Sequence, residues 1–361
     1  MPKIPLVDVR AQYAPLIPEL QQAFADVLED GRFVFGPNCA AFEQEAATYL
    51  RVPETIGVAN GTDALVIVMD AMDIGPGDEV ICPAFTFYAT AEAIARRGAK
   101  PVFAEVDPAT YNLDPEDVAA RITPSTRAIM PVHLFGRPAP LDELAALGLP
   151  LIEDAAQAFG SPAIAQHGVL STFSFYPTKN LFALGDGGLV TVNDPELGDR
   201  IRMLRFHGSR AKKIFEYVGY NSRLDALQAA MLRVLLPRLE AWNRLRREAA
   251  ARYAEFGLGE LVELPADEPG HVYHMYCVRT PDRDRLAAAL VDAEIGHASY
   301  YEPPLHLQPA LRYLGYKEGD LPETERAARE NLCLPMWGGI EEAQQAEVVS
   351  VLRRASSLVK A

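Results

Sequence analysis

The chain has 361 residues, too many for one hydrophobic core, which predicts a large domain and a smaller second one. Its formal net charge is −15, so the average electric field repels nucleic acid and anionic lipid, and we expect neither as a partner. The cysteines have no metal-ligand spacing and the first residues lack the apolar core of a signal peptide, so we expect a cytoplasmic protein with free thiols, no metal and no membrane span.

Short apolar runs between residues 55 and 192 predict buried strands, because they are β-branched or aromatic and bounded by Gly, Pro, Asn or Asp. In chain order they are TIGVA, EVIC, KPVFAEV, RAIMPV, LPLIE, TFSFY and GLVTV. Amphipathic segments between them predict helices at residues 62–72, 90–97, 115–121 and 141–147. This alternation predicts an α/β fold built on a largely parallel sheet.

The pattern changes after Leu224, where a long helical stretch begins that Pro237 is expected to kink or break. Beyond it, residues 273–280 predict a strand, residues 283–295 predict a helix, and a last helix begins near residue 341. We therefore expect a large domain at residues 1–245, including an N-terminal arm, and a small α+β domain at residues 246–361.

Two ionisable side chains stand at strand ends, where parallel α/β sheets bind their ligands. Lys179 follows TFSFY in a chain that mostly uses arginine as its cation, and lysine can lose its proton and attack a carbonyl. A solvated loop lysine is the alternative. Asp154 ends an apolar strand and is expected to be buried, so it needs a cation such as the pyridinium nitrogen of pyridoxal 5′-phosphate (PLP), or else it caps a helix.

Further residues at the strand ends suit the phosphate and ring of the same cofactor. Gly61 and Thr62 open a predicted helix, whose N–H groups and dipole attract a phosphate, although Thr62 alternatively serves as an ordinary helix cap. Phe87 is placed to stack on a flat heterocycle, although a core phenylalanine is commoner. Gln157 is placed to bind the ring hydroxyl and Ser174 to reach the phosphate.

Several motifs occur together in a characteristic order: ANGTDAL, PAFTFYAT, EDAAQAFG, SFYPTKN, GDGG, HG, GYNSRLDALQAA and PPLHLQP. In these motifs and their spacing, over about residues 4 to 340, the chain resembles the PLP-dependent nucleotide-sugar aminotransferases of the DegT/StrS type. The resemblance implies the fold-type-I PLP transferase architecture and a homodimer with shared active sites at the subunit interface.

The resemblance also implies roles for individual residues. Lys179 would hold PLP as a Schiff base and move the proton in both halves of the reaction. For cofactor binding it implies Gly61, Thr62, Phe87, Asp154, Gln157, Ser174, Lys179 and, from the partner subunit, Asn221. For substrate binding it implies Tyr301, His306 and Arg223, with His207 near the rim of the site. The remaining histidines (His133, His167, His271, His274 and His297) are expected to be structural or surface residues.

The implied reaction moves an amino group from glutamate to a keto group, expected at C3, of a nucleotide-linked sugar. The alternatives are a keto-cyclitol aminotransferase, a C4 sugar aminotransferase and a non-catalytic PLP-binding regulator. A related sugar 3-dehydratase would have histidine in place of Lys179, and a nicotinamide enzyme would have a GxGxxG motif, which is absent. The segment FGSPAIAQHGVLST between Gln157 and Ser174 is shorter than the hairpin usual in the family, which we expect to alter substrate contacts.

Overall fold

The computed structural model describes residues 2–166 and 170–357. Strands occur at all seven predicted places between residues 55 and 192, and two more lie in the C-terminal part. They are β1 (Glu54–Val58), β2 (Glu79–Pro83), β3 (Lys100–Ala104), β4 (Thr126–Ile129), β5 (Ile152–Asp154), β6 (Leu170–Ser174), β7 (Gly188–Val192), β8 (Tyr276–Arg279) and β9 (Asn331–Leu334).

Helices fill most of the remaining chain, and the four predicted between the strands are confirmed as α4 to α7. The helices are α1 (Val9–Tyr13), α2 (Ile17–Asp30), α3 (Pro37–Leu50), α4 (Gly61–Ala71), α5 (Ala89–Arg96), α6 (Pro115–Ala120), α7 (Leu141–Ala145), α8 (Pro195–Leu204), α9 (Ala226–Leu235), α10 (Leu239–Glu255), α11 (Arg283–Asp292), α12 (Pro322–Glu330) and α13 (Glu342–Ser357). The predicted break at Pro237 is also confirmed, because a short 3₁₀ turn (Leu236–Arg238) separates α9 from α10.

The large sheet has the strand order β3-β2-β4 followed by β5-β6-β7-β1. Two parallel bridges, Ile129 to Leu151 and Val132 to Asp154, join β4 to β5. The sheet is mostly parallel, as predicted, and β7 is the antiparallel exception against both β6 and β1. Residues 175–187 connect β6 to β7 and contain no helix. Parallel pairing would need a crossover helix here, so the short connection fits the antiparallel pairing of the two strands. This connection carries Lys179 across the carboxyl ends of the neighbouring strands.

Helices cover both faces of this sheet, because alternate residues of its strands point to opposite sides. In β7, Leu189 belongs to the same core cluster as residues of α2, α3 and α9, whereas Val190 belongs to the cluster that contains the interior of α4. The helix α4 is buried nearly all round, which fits a helix between the sheet and α5 and α8 rather than one facing solvent.

The C-terminal part has its own core around the antiparallel pair β8–β9, with α11 and α13 packed nearby. The predicted boundary at residue 245 lies inside α10, which is continuous there. Its early residue Trp242 packs in a core of the large domain and its later residue Tyr253 packs in the C-terminal core. The N-terminal residue Ile4 also packs in the C-terminal core. The division of the chain at residue 245 remains a prediction.

All four cysteines (Cys39, Cys82, Cys277 and Cys333) are buried free thiols. Among the described residues, no helix combines the length and the apolar character that crossing a membrane requires.

Candidate active site

A cavity of about 520 Å³ lies at the carboxyl ends of the sheet strands. Most of the predicted cofactor residues, and one predicted substrate residue, line it: Gly61, Thr62, Phe87, Asp154, Gln157, Ser174, Lys179 and Tyr301. These side chains come from the ends of β1, β2, β5 and β6, from the connection after β6 and from the C-terminal part of the chain. The fold therefore gathers into one place residues that are up to 240 positions apart in the sequence.

Among the described residues that line the cavity, Lys179 is the one lysine, and there is no arginine. Its backbone N–H donates to the carbonyl oxygen of Tyr176 at 2.8 Å, which holds the turn after β6. Burial lowers the pKa of Lys179 to about 8, although the nearby Asp154 carboxylate favours the charged form. A useful fraction of the amine is therefore unprotonated near neutral pH, as a nucleophile or base requires.

Asp154 ends β5 with its side chain only 6% exposed. Its carboxylate accepts hydrogen bonds from the Thr90 hydroxyl at 2.8 Å and from the Ala156 N–H at 3.2 Å. Burial raises its pKa, despite the opposing effects of these bonds and of Lys179. No helix directly follows Asp154, because residues 156–157 and 159–160 form turns, so the alternative role as a helix cap is wrong. A buried carboxylate is costly unless a cation lies beside it, and a protonated pyridine nitrogen would be such a cation.

The N-terminus of α4 and the end of β6 form a close backbone cradle. Asn60 caps the helix by accepting the Asp63 N–H at 2.8 Å, so the alternative that Thr62 is the cap is wrong. A Cβ added to Gly61 would lie 2.8 Å from the Cβ of Ser174, too close for any side chain. The glycine thus lets the helix N-terminus approach the Ser174 hydroxyl, an arrangement suited to a phosphate.

Two aromatic rings and an amide form the wall on which a flat heterocycle would lie. Phe87 is 60% exposed and borders the cavity, with its ring centroid 6.5 Å from that of Tyr301. The Gln157 amide is fixed at both ends, because its oxygen accepts the Phe135 N–H at 2.7 Å and its nitrogen donates to the Tyr301 hydroxyl at 3.2 Å. Burial raises the pKa of Tyr301, so its hydroxyl stays protonated.

His274, which was expected to be a structural or surface residue, lies beside Lys179. It lines the cavity, and its Nε2 atom lies 3.5 Å from Nζ of Lys179. Thr90 was likewise not predicted, although its hydroxyl binds Asp154. His274 precedes β8 in the C-terminal part and does not follow any strand of the large sheet, so reading the strand ends cannot find it. No local pattern in the sequence marks it.

Three of the predicted residues lie away from this cavity. His306 is 1% exposed, its Nε2 lies 3.1 Å from a carboxylate oxygen of Glu325, and it does not line this cavity, so its expected role in substrate binding remains a prediction. Asn221 is exposed on the surface, and the Arg223 guanidinium lies 5.8 Å from the centre of the Phe206 ring. Neither is among the described residues that line the cavity, so the roles expected of them remain predictions.

The shortened segment between Gln157 and Ser174 lies beside a second cleft, which Gly160, Ser161, Pro162 and Gln166 help to line. The described part of this segment contributes no residue beyond Gln157 to the wall of the 520 Å³ cavity. Residues 167–169, including His167, lie outside the described residues. The expected effect of the shortening on substrate contacts therefore remains a prediction.

Comparison with known proteins identifies a family over nearly the whole chain. Residues 16–353 match the model of the "DegT/DnrJ/EryC1/StrS aminotransferase family". The chain is 47% identical to a "Pleiotropic regulatory protein" of Geobacillus stearothermophilus, with 96% of each chain covered. It is 42% identical to the "dTDP-3-amino-3,4,6-trideoxy-alpha-D-glucose transaminase" of Streptomyces venezuelae, over 98% of this chain and 96% of the relative.

A third relative and a solved structure extend this likeness. The chain is 42% identical to a "UDP-N-acetyl-3-dehydro-alpha-D-glucosamine 3-aminotranferase" of Acidithiobacillus ferrooxidans, with 97% of each chain covered. The crystal structure of DesV from S. venezuelae superposes with a TM-score of 0.95 at 42% identity, covering 99% of both chains. The predicted fold class is therefore confirmed.

Proposed function

The chain belongs to the DegT/DnrJ/EryC1/StrS aminotransferase family, and we propose that it transfers an amino group from glutamate to the C3 keto carbon of a nucleotide-linked sugar. The family uses PLP. The observation that carries the proposal is the presence of Lys179 and Asp154 in one cavity, at the places where the cofactor needs an amine and a buried anion. The S. venezuelae and A. ferrooxidans relatives are named as a dTDP-3-amino-sugar transaminase and a UDP-linked 3-dehydro-sugar 3-aminotransferase, which supports position C3.

The residues of the cavity fit PLP at each of its polar ends. Asp154 would meet the pyridine nitrogen, and the cradle of Gly61, Thr62 and Ser174 would hold the phosphate. Phe87 presents an exposed ring face for stacking, and Gln157 would bind the ring oxygen. When bound, PLP supplies an electron sink for the carbon that carries the amino group.

The chain itself would supply the proton transfer and exclude water. Lys179, with its pKa lowered to about 8, would take a proton from the substrate carbon and return it to the carbon on the other side of the transferred nitrogen. Asp154 would stay ionised beside a cationic nitrogen, because that partner offsets the burial that now raises its pKa. The fixed amide of Gln157 and the Tyr301 hydroxyl would orient the ring and border the entering sugar.

We propose that two subunits complete each site. A nucleotide diphosphate and a glutamate bring several negative charges, whereas the described cavity wall has one lysine and no arginine. Asn221 and Arg223 lie on a surface segment outside the cavity, where the partner's copies would supply the missing contacts. Nearby, Ile214, Phe215 and Val218 are exposed, and Val218 is 96% exposed, as expected of residues that a second subunit covers.

We also propose that the enzyme works in the cytoplasm, which the four free thiols support. A purely regulatory role is disfavoured, even though one relative is named a regulatory protein. A non-catalytic binding protein would have no need of a buried lysine with a lowered pKa beside a buried carboxylate.

The test begins with enzyme converted to its pyridoxamine form by glutamate, with 2-oxoglutarate measured as the product. This enzyme is then mixed with UDP- and dTDP-linked 3-keto sugars, their 4-keto isomers and a keto-cyclitol, and the return of the bound-PLP absorbance is followed. The proposal expects the fastest return with a nucleotide-linked 3-keto sugar. Faster reaction with a 4-keto sugar or a keto-cyclitol would replace the substrate assignment, and no 2-oxoglutarate at all would refute the activity.

A further inference from the structure

His274 and Lys179 form a contact between the two parts of the chain. The imidazole Nε2 lies 3.5 Å from the lysine Nζ, a long contact of the kind that catalytic groups often show before a ligand is bound. His274 is 2% exposed, and its other ring nitrogen, Nδ1, has no hydrogen-bond partner among the described residues. The ring therefore has Lys179 as its polar neighbour inside the cavity wall.

The backbone that carries His274 is held from behind by a buried arginine. Arg246 of α10 is fully buried and donates from one nitrogen to the carbonyl oxygens of Tyr273 at 3.1 Å and His274 at 3.3 Å. Tyr273 has a φ of 43°, which a non-glycine residue adopts only when its surroundings enforce it. The buried guanidinium thus fixes a strained backbone whose effect is to point His274 at Lys179.

We propose that His274 is a positioning residue for Lys179: its neutral imidazole accepts a hydrogen bond from Nζ and keeps the amine directed into the cavity, while Arg246 holds the imidazole in place. This inference rests on the proposed role of Lys179 as the cofactor-binding amine. The inference adds His274, which lies outside the strand-end motifs, to the residues of the active site. It also gives the C-terminal part of the chain a direct role at the reacting amine.

The charge state of the imidazole follows from its surroundings. Burial lowers the pKa of His274 well below its usual value, and the positive charges of Lys179 and Arg246 lower it further. A neutral ring can accept a hydrogen bond from the ammonium form of Lys179 without adding a second cation. The titratable and charged groups that face the pair are Asp154 from β5, Arg246 from α10, and Tyr176, Asp186, Tyr300 and Tyr301 on the cavity wall.

The hydrogen bond has a consequence that can be measured without cofactor. An acceptor stabilises the ammonium form of Lys179, so its removal lets the lysine lose its proton at a lower pH. The probe is the rate of reductive methylation of Lys179 in the apoenzyme, measured against pH and localised by peptide mass spectrometry. The wild-type rate should reach half its maximum near pH 8. In His274→Phe this midpoint should fall by about one pH unit.

Three further variants make the result specific. His274→Gln keeps an acceptor oxygen and should restore the wild-type midpoint to within about 0.3 pH units. His297→Phe is the control, because His297 does not line the cavity and its Nδ1 atom lies 3.3 Å from the carbonyl oxygen of Ile295, away from Tyr273 and His274. It should leave the midpoint unchanged. If His274→Phe does not fold by circular dichroism, His274→Asn, too short to reach the amine, should show the same fall.

The outcomes separate this inference from the proposed function. An unchanged or higher midpoint in folded His274→Phe or His274→Asn, with a wild-type midpoint near 8, overturns the role of His274 alone. A wild-type Lys179 that titrates near the ordinary 10.5 and takes up no PLP overturns the proposed function, and this inference with it.

Discussion

Thr90 donates a hydrogen bond of 2.8 Å to Asp154, which joins the second position of α5 to the end of β5 beneath the cavity. The bond orients a carboxylate that is otherwise expensive to bury. We predict that Asp154→Asn, which keeps an acceptor for Thr90 but removes the charge, weakens PLP binding about 50-fold through loss of one charge-assisted hydrogen bond. The measurement is titration of the apoenzyme with PLP, and Asp284→Asn at an exposed site is the control.

The same substitution should have the opposite effect on the stability of the apoenzyme. Because burial raises the pKa of Asp154 in the folded state, the stability this group contributes is full at low pH and is lost as the pH rises through the folded-state pKa. Asparagine cannot ionise, so the apo variant should melt about 1–3 °C above wild type at pH 7, with the difference vanishing at low pH. A lower melting temperature at pH 7 would contradict this reading of Asp154.

Gly61 is predicted to be irreplaceable at the phosphate cradle. In Gly61→Ala the new methyl group would lie 2.8 Å from the Cβ of Ser174 and push the helix N-terminus away from the strand end. We expect the dissociation constant for PLP to rise about tenfold or more, in line with the usual cost of overpacking. Gly75→Ala is the control, because its added Cβ would meet only a carbonyl oxygen at 3.6 Å. Equal PLP affinity in both variants would show that the cradle does not hold the phosphate.

The lowered pKa of Lys179 predicts how the attachment of PLP depends on pH. Burial lowers this pKa to about 8. The neutral amine, which attacks the aldehyde, therefore increases about tenfold for each pH unit as the pH rises towards 8, and it no longer increases well above pH 8. Stopped-flow absorbance of PLP with apoenzyme should show a rate that levels off above pH 8. A free lysine derivative, measured in parallel, should continue to accelerate towards pH 10. An apoenzyme that follows the free amine would contradict the burial argument.

The proposed sharing of sites between subunits can be tested by mixing two inactive variants. Lys179→Ala removes the amine, and Asn221→Asp places a negative charge where the partner's phosphate would bind. If Asn221 acts across the interface, each mixed dimer has one intact site, so an equal mixture should recover about a quarter of wild-type activity after subunit exchange. If Asn221 acts within its own subunit, or not at all at this site, mixing will give no gain over the separate variants.

The sheet could be predicted from the sequence because buried strands carry a local signal. The predicted strand GLVTV has the same first and last residues as β7. The helix break at Pro237 could be predicted from the geometry of proline alone. Lys179 and Asp154 were found because parallel sheets place their ligands beyond the strand ends. Gly61 could be named, but its contact with Ser174 depends on how α4 lies against β6.

The remainder of the site depends on tertiary packing. His274 lies 95 positions after Lys179 in the sequence and contacts it in the fold. The backbone bend that allows this contact is stabilised by Arg246 of α10. The motif around His306 predicts a substrate contact, but it does not predict that the side chain is buried against Glu325. Neither outcome is encoded in local periodicity or spacing, because each depends on a contact between distant segments.

The most direct test of the account is to reduce the PLP-loaded enzyme with borohydride and locate the cofactor by peptide mass spectrometry. The account predicts that the pyridoxyl group is attached to Lys179, that Lys179→Ala has neither the adduct nor turnover, and that Lys100→Ala, at an exposed lysine paired with Glu79, retains both. Attachment to another lysine, or a Lys179→Ala enzyme that still forms the yellow complex and turns over, would contradict it.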